Sequence, residues 1–257
     1  MTLTMVAPEE RLAAALARLI ADPAALPARH IAVGAASPIP AAACWLVTKG
    51  GADVRLSLLH KRSGNPFTEG TRELFDLTGQ GRIDLFFLGG GQIDGQANIN
   101  LVGTGDWPGT SVRFPGSFGS AFMYLMTPRT ILFREEHSPR VLVERVDIVS
   151  APGTSPPGVF RRGTAQALVT GKAVFRFDPA RARFSLESVH PGETATSIRA
   201  ATGFDYDEPP DVPQTPDPTG AELALLRGPV CDEMLETYPE FCRRVWNRAA
   251  AADERAA

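Results

Sequence analysis

Two rhythms of apolar and polar positions run through the chain. From Pro8 to Ala21, Leu12, Leu16, Leu19 and Ile20 recur on one face, and Pro8 and Glu9 suit a first turn. This predicts a helix, which Asp22-Pro23 stops. His30–Val33 reads as a short strand ending at Gly34, and the small-residue loop 35–38 leads into a second helix running through Ala42 to Lys49. Val54–Leu59 alternates as a strand does and opens into the polar loop 60–66; Thr71–Leu77 then predicts a helix with Leu74 and Phe75 inward. Leu85–Leu88 places four large apolar side chains in a row, leaving no solvent face, as in a strand buried on both sides. Three glycines, a polar cluster and a second short apolar strand near Ile99–Gly103 follow at once.

Beyond it, a glycine-and-serine loop at 113–121 precedes the apolar run Phe122–Met126, and Thr130–Phe133 and Val141–Val149 read as strands. Residues 150–163 are a Pro/Gly-rich excursion. Lys172–Phe177 and Arg183–Ser188 flank the turn residues 178–181 as a hairpin, and a short helix is expected around Ile198. Residues 205–219 hold five prolines among aspartates and glutamates, which predicts an extended surface segment. Two helical pieces finish the chain, and residues 249–257 are expected to fray. Strands alternating with helices at these spacings predict an α/β fold: an open, mainly parallel sheet with helices on both faces and a C-terminal helical extension. The expected division is one domain over 1–204, the extended segment 205–219, and helices 220–257 packing on that same domain.

Composition narrows the function classes. A length of 257 residues, 44% hydrophobic and 21% charged, fits an ordinary globular core. A net charge of −3 with no basic stripe excludes a nucleic-acid partner. Cys44, Cys231 and Cys242 are too few and too scattered for a disulfide framework or a zinc site, so free thiols in a reducing cytoplasm are expected. No apolar run is long enough to span a membrane, and Glu9, Glu10 and Arg11 are wrong for a signal peptide. His30, His60, His137 and His190 do not group as metal ligands, so no metal site is expected.

The triple glycine after a strand invites a dinucleotide reading, but the sixth position from Gly89 is Asp94, not glycine. Gly171-Lys172 is followed by alanine, so the phosphate-loop pattern fails, and no Gly-x-Ser-x-Gly elbow exists. A strand ending in glycines and amides is still where an open α/β sheet binds ligands. Gly89, Gly90, Gly91, Gln92, Asp94, Asn98 and Asn100 are therefore candidates for a substrate pocket or subunit interface. Alternatively the glycines only allow a tight turn, and Asp94 and Asn98 only hold the loop. Gly116, Ser117 and Gly119 are candidates to present backbone N–H groups to a thioester oxygen or a phosphate. His60, Lys61 and Arg62 are either a solvated turn or polar contacts to a ligand carboxylate or phosphate.

The run 87–100 (Phe-Leu-Gly-Gly-Gly-Gln-Ile-Asp, then Gly95, Asn98 and Asn100) resembles the GGAQID-x-x-GN-x-N signature of family I CoA-transferase β subunits. The nearest well-known type is the β subunit of glutaconate CoA-transferase. Ala97 departs from the family's glycine. Residues 115–121 are similar to the family's glycine-rich loop, with Phe118 in place of a glycine. Residues 146–153 resemble its IDYVTSPG stretch, and 190–205 its ending. The four matches are collinear over about 30–227.

The resemblance implies a CoA-transferase (NagB/RpiA-like) fold acting with a homologous α subunit, as αβ or α2β2. It also implies acyl-CoA thioester substrates, with coenzyme A entering as thioester and no tightly bound cofactor. Family transferases attack the thioester with a β-subunit glutamate at the end of the second strand. Here Leu58 or Leu59 falls at that position, and no carboxylate lies between Asp53 and Glu69. A leucine is no nucleophile. The family branch of two-subunit hydrolases that open the last steroid ring as a CoA thioester also lacks this glutamate and takes its base from the α subunit. Residues 188–192 and 199–202 resemble that branch. The resemblance thus implies a hydrolase-like or lyase-like β subunit with no catalytic residue of its own; a transferase or a non-catalytic scaffold is the alternative. Steroid-ring remnants, aromatic-degradation products and short diacids all remain open as the acyl group.

Overall fold

A computed structural model describes residues 5–65 and 67–248. The expected fraying of 249–257 and the Pro66 end of the polar loop lie outside the described residues.

In chain order the elements are α1 (Pro8–Ile20), β1 (His30–Val33), α2 (Pro38–Lys49), β2 (Arg55–Leu58), α3 (Thr71–Gly79) and β3 (Leu85–Leu88). Four two-residue strands follow: β4 (Gln92–Ile93), β5 (Ile99–Asn100), β6 (Gly103–Thr104) and β7 (Val112–Arg113). Then come α4 (Ser120–Met126), β8 (Arg129–Arg134), β9 (Thr164–Thr170), β10 (Ala173–Asp178), β11 (Arg183–Val189) and α5 (Ala195–Ala201). The chain closes with α6 (Gly220–Leu225), α7 (Cys231–Met234) and α8 (Pro239–Trp246); a π turn over Leu226–Val230, kinked at Gly228, joins α6 to α7.

The seven-stranded sheet has the order β11-β10-β9-β8-β3-β1-β2. Its five strands from β2 to β9 are parallel, and β10 and β11 add an antiparallel edge. Alternation within each strand then sorts the core. Leu85 and Phe87 face α1, α2 and the C-terminal helices, whereas Phe86 and Leu88 face α3, α4 and the β4–β5 region. Each layer hides one side of the sheet, as the apolar run at 85–88 requires. The expected open, mainly parallel sheet with helices on both faces is what forms.

Three local expectations need correction. Val141–Val149 is not a strand: its one bridge among the described residues is to Ile93, which accepts from Val143 and donates to Val141, while Gly203 donates to the Leu142 carbonyl. Beyond that pair, side chains take its N–H groups, Val146 going to Asp94 and Asp147 to Gln92. A central strand not read from the sequence, β9, lies between β8 and β10; its alanines give a weak strand signal but suit its tight packing, with Ala165 and Ala167 on opposite faces. The 205–219 segment is extended but not merely superficial. It runs beside β11, where Asp207 and Pro213 carbonyls accept from Leu186 and Val189, and it buries Tyr206 and Thr215. Those bonds cover an edge that would otherwise stand open.

Candidate functional site

A cleft of about 740 Å³ opens at the C-terminal ends of β3 and β8, with the loop after β1 as its third wall. Since β2 and β3 lie on opposite sides of β1, this is where the strand order reverses, the usual crevice of an open α/β sheet. Ile39, Phe87, Leu88, Leu101, Phe114 and Phe133 give it an apolar lining, and Arg134, Glu135, Glu136 and Arg140 a charged wall.

Gly89, Gly90 and Gly91 line this cleft, and the reason for each is close packing rather than a left-handed backbone. A Cβ on Gly89 would stand 2.7 Å from the Phe133 carbonyl oxygen, and one on Gly90 2.6 Å from Ile99 Cγ2; one on Gly91 would collide with the Phe114 ring. The polar members of the same stretch turn away into a loop network. Gln92 Oε1 accepts from Asn100 Nδ2 (2.7 Å) and from the Asp147 N–H (3.0 Å). Asn100 Oδ1 accepts from the Val102 and Gly103 N–H groups, and its Nδ2 also donates to the Gly103 carbonyl. Asp94 accepts from Gln96, from Asn98 twice and from Val146; Asn98 Oδ1 accepts from Gly153. Gln92, Asp94 and Asn100 are all buried. Of the seven candidates, the glycines meet the cleft; the four polar side chains hold the loop network together, and Asp94 and Asn98 also line a separate hollow of about 730 Å³.

The glycine-and-serine loop borders the cleft through Phe114 and Pro115, but Gly116, Ser117 and Gly119 do not line it. The Gly116 N–H already donates to the Leu101 carbonyl, and the Ser117 carbonyl accepts from Ser120. Phe118 takes a positive φ of 43° and is 80% exposed. His60, Lys61 and Arg62 also stand outside the cleft. His60 meets the Ala35 carbonyl, Lys61 pairs with Glu233 and lies over the Trp45 ring, and the Arg62 N–H donates to Glu236. Leu58 is buried among the α1/α2 core, and Leu59 packs against the opposite layer.

The charged wall is the part that sequence reasoning missed. The run Arg134-Glu135-Glu136 follows directly on a predicted strand, and that position is itself a signal. Glu136 accepts from the Ser138 hydroxyl and pairs with Arg140 and, at 3.7 Å, with Arg134. The Ser138 bond foremost, then the arginines, hold its carboxyl below the usual range despite some burial. Glu135 is exposed and has neither an ion pair nor a side-chain hydrogen bond among the described residues. Arg134 Nε is buried without a hydrogen-bond partner. The N-terminus of α2 adds little, because Pro38 and Pro40 lack N–H groups and Ala41 donates to Ser37. The cleft can thus take an apolar arm with a polar end, and its candidate reactive groups are Glu135, Glu136 and Ser37.

No three His, Cys, Asp or Glu side chains group as metal ligands among the described residues. His137 and His190 are instead buried and hydrogen-bonded: His137 to Thr170 (2.7 Å) and Thr202 (3.0 Å), His190 to Thr215 and the Thr170 carbonyl (2.9 Å each). Among the described residues no helix is long and apolar enough to cross a membrane.

The family model for coenzyme A transferase matches residues 45–201. The chain is 32% identical over 149 residues to the glutaconate CoA-transferase β subunit of Acidaminococcus fermentans, covering 55% of this chain and 54% of that one. It is 31% identical over 160 residues to the cholesterol ring-cleaving hydrolase IpdB subunit of Rhodococcus jostii, covering 61% and 62%. The sequence matches thus span little more than half the length of these curated relatives. The solved glutaconate coenzyme A-transferase of Acidaminococcus fermentans shares the fold, with a TM-score of 0.76 over 91% of this chain and 98% of that one, at 21% identity.

Proposed function

The chain belongs to the coenzyme A transferase family, and from that premise we propose that it is the β subunit of a two-subunit, cytoplasmic acyl-CoA-processing enzyme. Its chemistry on this reading is hydrolytic or lyase-like, as in the ring-cleaving relative, with the acyl-CoA thioester held in the cleft at Gly89–Gly91 and the general base supplied by a homologous α subunit.

One observation carries this reading. The end of β2, where the family's transferases hold their glutamate, offers Leu58 turned into the core and Leu59 packed on the opposite layer. Neither can attack a thioester. A carboxylate from the partner must then come within hydrogen-bond reach of a water or of an acidic C–H on the acyl group. The apolar lining would hold the acyl chain and pantetheine arm, and the buried loop network would keep the glycine backbone close to them.

A transferase reading has one observation in its favour: Glu135 stands unpaired on the cleft wall and could itself be the nucleophile. Borohydride trapping decides. The chain, co-expressed with a homologous α subunit, is incubated with acyl-CoA and borohydride and examined by peptide mass spectrometry. The hydrolytic reading expects turnover that is lost when the partner's glutamate is replaced, and no modified glutamate on this chain. A reduced glutamate at position 135 would overturn it in favour of transfer.

A further inference from the structure

At the opposite pole, the N-terminal ends of β1, β3 and β8 surround a second hollow of about 470 Å³, within the size range of small-molecule sites. Three exposed arginines, Arg29, Arg82 and Arg162, line it, together with His30, Asp84 and Gly81. Arg82 also lines an adjoining hollow of about 310 Å³ that contains Arg55. None of these four arginines forms an ion pair among the described residues, although arginines elsewhere on the surface are extensively paired. Arg162 is seated over Gly81, where a Cβ would strike its guanidinium.

Arginines outnumber carboxylates here, three to one in the hollow itself. Asp84, its one lining carboxylate, has Oδ2 engaged by the Arg29 and His30 N–H groups at 2.9 Å each. In the adjoining hollow Glu73 accepts from Thr68 and Glu69, and Asp76 is the remaining carboxylate. Buried Arg129 adds a further positive charge behind the floor, its own donors directed to the Leu19, Ile20 and Leu26 carbonyls. Burial foremost, and then the charge of Arg55, push the His30 imidazole below the ordinary range, against the opposing pull of the Arg82 carbonyl and the Asp84 carboxylate.

We propose that this hollow is a second binding site, separate from the cleft, for a small molecule carrying adjacent phosphates. Three arginines around one small space, without ion pairs among the described residues, exceed what a single carboxylate needs, whereas a diphosphate could take a forked pair of N–H groups from each. The site stands at the far ends of the strands that carry the cleft, so its ligand acts as an effector or an anchor rather than as a reacting group. This inference does not depend on the acyl-CoA reading.

Calorimetric titration of the full chain with inorganic pyrophosphate at low ionic strength tests it. Binding is expected, weakened about tenfold or more by Arg82→Ala and by Arg162→Ala. Arg113→Ala, which removes an unpaired arginine on β7, is expected to leave it unchanged. Circular dichroism of each variant confirms an intact fold, and Arg82→Lys should restore part of the affinity. Added coenzyme A identifies the source: displacement of pyrophosphate assigns the hollow to the diphosphate of that molecule, and no displacement to a separate phosphorylated ligand. Absence of binding, or equal weakening by Arg113→Ala, overturns the proposal.

Discussion

Asp94 shows what a signature carboxylate does in this chain. It accepts four hydrogen bonds, from Gln96, Asn98 (twice) and Val146, while nearly all of its surface is buried. Replacing it with alanine orphans buried N–H groups at about 1–3 kcal/mol each, partly relieved by relaxation. Asp94→Ala is therefore expected to lower the melting temperature by several degrees or more, read by differential scanning calorimetry. KM for acyl-CoA should move far less than stability does. A KM rise of an order of magnitude at unchanged melting temperature would mean that Asp94 touches substrate. The neighbouring glycines divide differently. Gly90→Ala drives a methyl against Ile99 and the Gln92 carbonyl and should destabilise the fold by about 1–3 kcal/mol. Gly91→Ala drives its methyl against the Phe114 ring, which lines the cleft, so it should cost affinity more than stability. The residue types of this stretch announced a special place, but not which way each side chain points. Direction follows from where 146–153 crosses beneath it, a long-range contact that local pattern does not encode.

Among elements, the junction of β8, β9, β10 and α5 makes stability depend on pH. His137 is pushed down to about 4, chiefly by burial and then by the charge of Lys172, and burial likewise lowers His190. An unfolded chain titrates these rings near 6.5. As pH falls through 6.5 toward 4, the unfolded state takes up a proton that folded His137 refuses, so stability falls by about 1.4 kcal/mol per pH unit in that window, and His190 acts in the same direction. That stability is fully present above 6.5. Urea unfolding of wild type and His137→Gln across pH 4–7 checks this: the variant is expected to be less stable at neutral pH and to show a shallower acid slope. The clasp between α1 and the C-terminal helices responds otherwise. Glu10 is 1% exposed, and burial works against its charge, yet bonds from Arg227, Ala7 and Trp246 keep its carboxyl below the usual range. Glu10→Ala strands the Arg227 guanidinium at that clasp and is expected to cost about 2–4 kcal/mol, measurable as a lower denaturation midpoint. The rhythm of apolar positions revealed α1, β1, α2, β2, β3 and the β10–β11 hairpin, because each carries its own burial pattern. Strand β9 escaped because Ala165 and Ala167 owe their strand to neighbours on both sides. Val141–Val149 misled because Val141, Leu142 and Val146 are buried by loops rather than by a ladder.

At the scale of the molecule, the chain between Leu101 and Phe118 borders the cleft through Leu101, Phe114 and Pro115, and it exposes apolar side chains where solvent should favour polar ones. Trp107 is 62%, Val112 52% and Phe118 80% exposed, on the β6–β7 hairpin and the loop that follows it. Phe118 holds a positive φ with its ring beside that of Phe75, yet most of its surface stays exposed, an arrangement that stability alone does not explain. Exposed aromatics beside an unfinished pocket suit an interface that closes the pocket on assembly. If the α subunit of the proposed enzyme docks here, Phe118→Asp combined with Trp107→Ala should weaken assembly by about 2–4 kcal/mol, roughly 30-fold to 1000-fold. The melting temperature of the isolated chain should scarcely change, since neither side chain is buried within it. Sedimentation velocity of the mixed subunits reads the assembly. Acyl-CoA turnover should fall at dilute subunits and recover as their concentration is raised, which separates loss of docking from loss of chemistry. Undiminished co-sedimentation of the double variant would move the partner to another face and leave the cleft's apolar rim to the substrate itself.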